Sequence, residues 1–445
     1  LSIPIRDNQD GRATFRNATV LEPISRDCYR ALEFMQRHFP RPLILCLLVA
    51  LALRLAFIFI GFPQLQSRWN LREDGDNYGV IAQSIRDGNY TDITRGPVYP
   101  VFLAIAGKPV VAKILQALLD TATCALIFLL ARGNWWAALL WAVYPFAIWR
   151  VAFINKETIL TFLLTAYVLA QWSALEKGKL WRWLLAGALL GVLNLCKPIF
   201  LFFPVVVAGI LGFRWWRAFR KGDIRVATNR GGDVAPTGLF VAFLAAMVVV
   251  VAPWTVRNYH ITGGEFLPVA IEQGGVTTFI GNYQPSRGLW EGEGKPLWQA
   301  AVEKIRADNP DATAVQLDRI YYRAAWEQIT SNPLVALELF AHKCGRFWFV
   351  SAARRELVAS MLIQSLYLGL AAFGLWKLRN SQHGQALLLA VVAYVMLAHA
   401  VSYADVRFSV IIMPLVCVLG GVAAGFTPAD VAAGFKPAEK RRTRP

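Results

Sequence analysis

The feature that most limits what this chain can become is its succession of apolar runs, far longer than the helices of a soluble core require. The first, Leu43 to Phe62, is long enough at about 1.5 Å per residue to cross a hydrocarbon layer of ~30 Å. Pro109 to Ala131, Asn134 to Trp149, Thr158 to Leu175, Trp183 to Cys196 and Ile199 to Phe213 follow. Gly238 to Trp254, Leu357 to Trp376, Ala386 to Val401 and Phe408 to Phe426 complete the series. The expectation is an all-α polytopic membrane protein of about ten transmembrane helices with juxtamembrane helices on its outer face.

Composition supports this class: of 445 residues, 56% are hydrophobic and only 17% charged. The net charge of +17 would suit nucleic acid, but strict alternation puts the basic loops on one side. They are the Arg6 to Arg41 segment, the Lys177–Arg182 turn, the loop with Arg214, Arg217, Arg220, Lys221, Arg225 and Arg230, and the tail with Lys436, Lys440 and Arg441. Basic residues collect on cytoplasmic segments, so topology explains the charge and no nucleic-acid partner is expected. Both termini are placed in the cytoplasm, and the compact loops suggest a bacterial inner membrane. The six cysteines have no metal or disulfide spacing. No cleavage pattern follows the first run, which is expected to remain as an anchor.

The chain then divides into a cytoplasmic segment 1–42, with a surface helix at 26–39, and a transmembrane core 43–256 containing the first outer loop 63–108. An outer helical segment 257–356, C-terminal transmembrane helices 357–426 and a basic tail 427–445 follow. In the outer segment Leu317, Ile320, Tyr321 and Ala324 have helical spacing, and Asn332 with Pro333 supplies an N-cap and first-turn proline for another helix.

Carboxylates and a basic, proline-framed stretch meet in the first outer loop, REDGDNYGVIAQSIRDGNYTDITRGPVYP at 72–100. Tyr78, Ile81, Ala82 and Ile85 share one helical face, and Gly88 stands where that helix would stop. Asp74 lies at the helix start, a position that suits an N-cap and equally a general base with fixed orientation. Asp76, Glu73 and Asp87 are weaker candidates. Arg95, with Tyr99 between Pro97 and Pro100, offers paired donors to a phosphate or a simple interfacial charge. Glu157 opens a span on the same side, favoured there by the helix dipole or acting as a second carboxylate that orients an acceptor or, with Asp74, binds a divalent cation. Arg257, Asn258 and His260 end another span, and Lys197 and Arg407 share that depth. Together with Arg95 these residues ring the surface where a lipid phosphate would lie. Trp290 and Trp298 are candidates for stacking on sugar rings or for packing.

Two charges sit deep in spans, Arg54 and Asp120, each about 16 Å in by helical rise. Mutual pairing is the favoured reading, and a proton or ion relay with Lys113 and Gln116 is the other.

These residues resemble the GT-C glycosyltransferases of the protein O-mannosyltransferase and lipid A aminoarabinose transferase type. Asp74 four before Tyr78 matches that family's first outer loop, and Arg95 to Pro100 is similar to its RPPGYP-like segment. Tyr144–Pro145 followed by Glu157, Thr158 and Leu160 resembles its YP and T-E-x-L stretches. Asn194 to Pro198 resembles A-L-T-R-P, with Lys197 for arginine. Pro253 to Tyr259, Gly281–Asn282, and Arg407 to Pro414 with Phe408 for tyrosine complete the likeness. The resemblance implies a GT-C fold and inverting transfer of a sugar from a polyprenyl-phosphate carrier to a glycan, lipid or protein acceptor, among membrane lipids. It makes Asp74 the base, with Glu157 orienting the acceptor or a divalent cation. Asp76, Tyr78, Arg95, Tyr99, Lys197, Arg257, Asn258, His260 and Arg407 then contact substrate. A transporter or flippase of lipid-linked sugars is the alternative.

Overall fold

The computed structural model describes residues 40–220, 235–350, 357–378 and 385–425. The expected surface helix at 26–39, most of the basic loop at 221–230 and the basic tail lie outside them. Within the described residues the chain is helical, without a strand. Seven helices are long and apolar enough to cross a membrane: Arg41–Trp69, Pro109–Leu130, Glu157–Lys177, Pro198–Arg217, Pro236–Ile261, Leu357–Lys377 and Val406–Ala423. Two other apolar helices, Leu180–Cys196 and Gln385–Val401, are shorter. The protein is therefore an all-α, multi-pass membrane protein.

In chain order, α1 is Arg41–Trp69, α2 Tyr78–Arg86, α3 Val98–Ala106, α4 Pro109–Leu130, α5 Trp135–Ala142 and α6 Pro145–Arg150. Then come α7 Glu157–Lys177, α8 Leu180–Cys196, α9 Phe203–Arg220 and α10 Pro236–Ile261. The outer-segment helices are α11 Gly274–Asn282, α12 Gly294–Ala307, α13 Ala314–Ser331 and α14 Pro333–Phe349. The chain continues through α15 Leu357–Lys377, α16 Gln385–Val401 and α17 Met413–Gly425.

Three boundaries differ from expectation for definable reasons. The first helix runs past Phe62 to Trp69. A π turn at Phe57–Gly61 precedes Pro63, where the regular hydrogen-bond ladder would in any case lose a donor. The run Asn134–Trp149 is not one helix but α5 and α6, because Pro145 has no N–H to continue the ladder. Helix α10 continues beyond Trp254 to Ile261 with Pro253 inside it, so the Arg257–His260 stretch is the end of a helix and not a turn.

Arg54 and Asp120 pair, and their neighbourhood explains why the broken helix is tolerated. The Arg54 guanidinium donates through Nε to Asp120 Oδ2, and through its terminal nitrogens to Ala50 O at 3.0 Å, Ala142 O at 2.8 Å and Trp141 O at 3.2 Å. Ala142 O at the end of α5 thus acquires a donor from α1, and Trp141 O, which already accepts from Tyr144 N, gains a second. Trp141 Nε1 returns a bond to Asp120 O at 3.3 Å. Lys113 and Gln116, the other members of the postulated relay, are also engaged. Lys113 Nζ lies 3.1 Å from Glu73 Oε1, and Gln116 accepts from the Tyr99 hydroxyl while donating to Val151 O and Phe153 O.

The outer segment forms its own small core. Phe279, Ile280, Val302, Tyr321 and Ala325 are buried together, with Leu317 and Ala324 against them, as the spacing on α13 predicts. Thr313 and Gln316 cap α13 reciprocally, and Asn332 Oδ1 accepts from Val335 N at the start of α14. Buried Lys343 on α14 ties this unit to the end of α16, donating to Asn282 Oδ1 at 2.8 Å, Ser402 O at 3.2 Å and Val401 O at 3.4 Å.

Candidate functional site

Where the first loop, the start of α7, the end of α8 and the outer helices converge, they enclose a cavity of about 1360 Å³. Asp76, Arg95, Arg150, Lys156, Glu157, Lys197, Glu272, His399 and Arg407 contribute to its charged and polar lining. Leu160, Ile199, Phe202, Tyr394 and Leu397 form apolar wall, while Trp290, Asp318, Tyr322 and Trp326 line the side made by the outer helices.

Local chemistry positions each group. Asp74 accepts from the backbone N–H groups of Tyr78 at 2.9 Å and Gly79 at 2.6 Å, using one carboxylate oxygen for each. These are donors that the first turn of α2 leaves unpaired, so Asp74 fixes the helix start. Asp76, two residues later, lines the cavity and lies 3.4 Å from Arg95 Nη2. Tyr78 is buried under this pair: Arg95 sits 5.7 Å from its ring centre, and Tyr99 meets its ring edge-on at 4.7 Å. Tyr78 and Tyr99 are thus the floor beneath Arg95 rather than cavity lining.

Arg95 is carried by a segment that allows no side chain at position 96. A Cβ on Gly96 would come within 2.2 Å of Leu195 O at the end of α8. The Gly96 N–H donates to Glu272 Oε1 at 2.9 Å. Glu272 also pairs with Lys156 and lies 3.8 Å from Arg95 Nη1. Its backbone is held against the first loop by Ile271 N to Ile93 O at 3.0 Å and Glu272 N to Thr94 O at 2.9 Å. Burial pushes this carboxyl up, but Lys156, Arg95 and the Gly96 N–H outweigh it and leave its pKa below the ordinary value.

Glu157, on the first turn of α7, is buried, lines the cavity and leaves Oε2 without a hydrogen-bond partner. Arg150 Nε, also in a cavity-lining side chain, is buried without a partner. A buried polar atom left unpaired costs about 1–3 kcal/mol, and both of these belong to side chains that line the cavity. Lys197 lies 3.0 Å from His399 Nε2 and 4.3 Å from the Phe408 ring centre. Burial, then the neighbouring Lys156, draws its pKa down to about 7.

Arg95, Lys197 and Arg407 thus reach one cavity, joined by Glu157 and Asp76. Arg257, Asn258 and His260 do not line it. Arg257 donates to Tyr90 O at 2.7 Å and Asp92 O at 3.1 Å and lies over the Tyr90 and Trp254 rings. It braces the loop leading into Arg95. Asn258 donates to Leu267 O and Val269 O, and His260 is exposed. Trp290 lines the cavity, and Trp298 packs 5.1 Å behind it.

Asp74 gives both oxygens to N–H groups, Glu157 stands beside Lys156, and among the described residues no cluster of three or more His, Cys, Asp or Glu could hold a metal ion. Glu272, Lys156, Arg150 and His399 escaped the sequence reading as site residues. Lys156 and Arg150 were open to notice from their nearness to Glu157, whereas Glu272 and His399 carry no local motif. No family model and no curated protein sequence matches the chain.

Proposed function

We propose that the protein is a GT-C-type glycosyltransferase that moves a sugar from a polyprenyl-phosphate carrier to an acceptor hydroxyl with inversion. The observation that carries this reading is one cavity that joins carboxylates, several cations and an apolar wall at the ends of membrane-spanning helices. In the reading, the two shorter apolar helices and the α5–α6 pair raise the number of crossings to ten. The termini lie in the cytoplasm of a bacterial cell, and the cavity opens on the outer face of the inner membrane.

The donor phosphate lies against Arg95, Lys197 and Arg407, with its prenyl tail along the wall containing Phe202 and Leu397. The acceptor enters from the side of Trp290, Tyr322 and Trp326. We assign the base to Asp76 and not to Asp74, whose oxygens are both held by helix N–H groups. Asp76 takes the acceptor proton as the acceptor oxygen attacks the anomeric carbon from the face opposite the phosphate. The bond from that carbon to the phosphate oxygen breaks, and the cations stabilise the charge left on the carrier. Arg95 holds Asp76 only loosely before the donor arrives, at 3.4 Å. A phosphate that draws Arg95 away leaves Asp76 free to accept a proton. Glu157, whose side chain lines the cavity, orients the acceptor by accepting from a second hydroxyl.

The test is synthesis of a glycosidic bond by purified protein in detergent, where no gradient exists, with membranes supplying donor lipid and acceptor. Product formation supports the enzyme. Lipid movement across reconstituted bilayers without a new glycosidic bond would replace it with a transporter.

A further inference from the structure

The closest polar partner of Lys197 is a histidine from the far end of the chain, 202 positions away. His399 is buried on the last turn of α16, with Nδ1 2.7 Å from Val395 O. A carbonyl oxygen can only accept, so Nδ1 carries the hydrogen and Nε2 is the nitrogen directed at Lys197. Two full cations at 3.0 Å in a buried site would repel strongly, so the pair holds one charge, and a neutral imidazole accepting from the ammonium satisfies both ring nitrogens. The Phe408 ring supports both partners, stacked on His399 at 4.5 Å and lying 4.3 Å from Lys197 Nζ.

We infer that His399 is a positioning residue: by taking one N–H of Lys197 it directs the remaining two into the cavity, creating a subsite for the phosphate of a prenyl carrier. The inference rests on the proposed donor class. An ammonium on a flexible stem samples many directions, and one fixed acceptor with one aromatic face removes most of that freedom before a ligand arrives. The other charges acting on Lys197 are Lys156 and Arg407, which oppose its protonation, and Glu157 and Glu272, which favour it. Its pKa near 7 means that the empty site loses this cation as pH rises through neutrality. The carrier released by transfer is a phosphomonoester, dianionic above about pH 6, whereas the sugar-bearing donor is a diester with a single charge throughout. Between these two titrations Lys197 and the released carrier carry the charges that bind best.

The experiment measures binding of farnesyl phosphate, with farnesol as tail control, to the full-length protein in detergent across about pH 6 to 9. Wild-type protein is expected to prefer farnesyl phosphate, with affinity falling above about pH 7.5, whereas Lys197→Arg, charged throughout, shows no such fall. His399→Leu is expected to bind farnesyl phosphate about tenfold more weakly at pH ~6.5, with farnesol binding and melting temperature unchanged. His399→Gln, which keeps an acceptor, recovers most of that loss. Equal phosphate affinity in His399→Leu and wild type would overturn the positioning role alone, and parallel pH profiles for Lys197→Arg and wild type would overturn the pH limit. If the leucine variant unfolds, His399→Gln decides: phosphate affinity near that of the wild type supports the acceptor role, and a tenfold loss overturns it. No preference of the wild type for farnesyl phosphate over farnesol would overturn the donor class as well.

Discussion

Two groups of charges lie among the apolar helices, and they are built in opposite ways. Around Arg54 and Asp120 each nitrogen of a buried guanidinium has an acceptor: the carboxylate takes Nε, and the carbonyls of Ala50, Ala142 and Trp141 take the terminal nitrogens. Around the cavity, Glu157 Oε2 and Arg150 Nε have no partner among the described residues, Arg95 stands between Asp76 and Glu272 at 3.4 and 3.8 Å, and Lys197 relies on a neutral ring. A closed set resists exchange with anything outside it, so it holds helices together. An open set is poorer for folding and available to a ligand. Charge within a membrane protein therefore points to function less by its presence than by whether its hydrogen bonds are complete.

The comparison breaks first, and most severely, at the closed pair. Arg54→Met or Asp120→Leu alone leaves one buried charge uncompensated and is expected to cost about 3–5 kcal/mol, read as a large fall in melting temperature in detergent. The double variant should regain much of the loss. A single variant as stable as wild type would show that the pair is not closed.

Next in size is activity at the open set. Asp76→Asn is expected to reduce sugar transfer by about 10²–10⁴-fold with little change in melting temperature. Asp74→Asn, which leaves one acceptor oxygen for two N–H groups, is expected to act the other way round, costing about 1 kcal/mol of stability through α2 with the smaller loss of transfer. Reversed results would return the base to Asp74.

Glu272 belongs partly to each group, being closed toward Lys156 and Gly96 and open toward the cavity. Its pKa is lowered on folding, so the stability it contributes is present above the unfolded value of about 4.3 and is lost as pH falls through the lower folded value. Glu272→Gln should therefore flatten the acid limb of the melting curve, and an unchanged limb would exclude this coupling. The smallest effect is expected at His260, exposed and away from the cavity. His260→Ala should change stability by less than about 0.5 kcal/mol and leave transfer intact.

What could be read from the sequence follows from where the information is stored. Apolar length revealed the membrane-spanning class, the face of α2 and the cap at Asn332 were local patterns, and depth along two opposed runs was enough to pair Arg54 with Asp120. Arg95, Lys197 and Arg407 were also visible, as cations at one end of their runs. The continuation of α10 was not, because a proline usually ends a helix. Here Trp254 and Asn258 are anchored to carbonyls at 267–269, which holds the helix beyond Pro253. Glu272 and His399 were illegible for a different reason. Their partners lie 116 and 202 positions away, and no spacing rule reaches that far. Gly281 shows both sides: its pairing with Asn282 resembles a family motif, yet its physical cause, a Cβ that would come within 2.0 Å of Ser402 O, appears only in the fold.

The central claim, that the open cavity transfers a lipid-borne sugar, is tested most directly by mass spectrometry of lipid-linked sugars and envelope glycans from cells carrying wild-type protein or Asp76→Asn. The account predicts that the variant accumulates one polyprenyl-phosphate sugar while one glycan loses the same sugar mass. Identical lipid and glycan profiles, with the variant present at normal levels in the membrane, would contradict it.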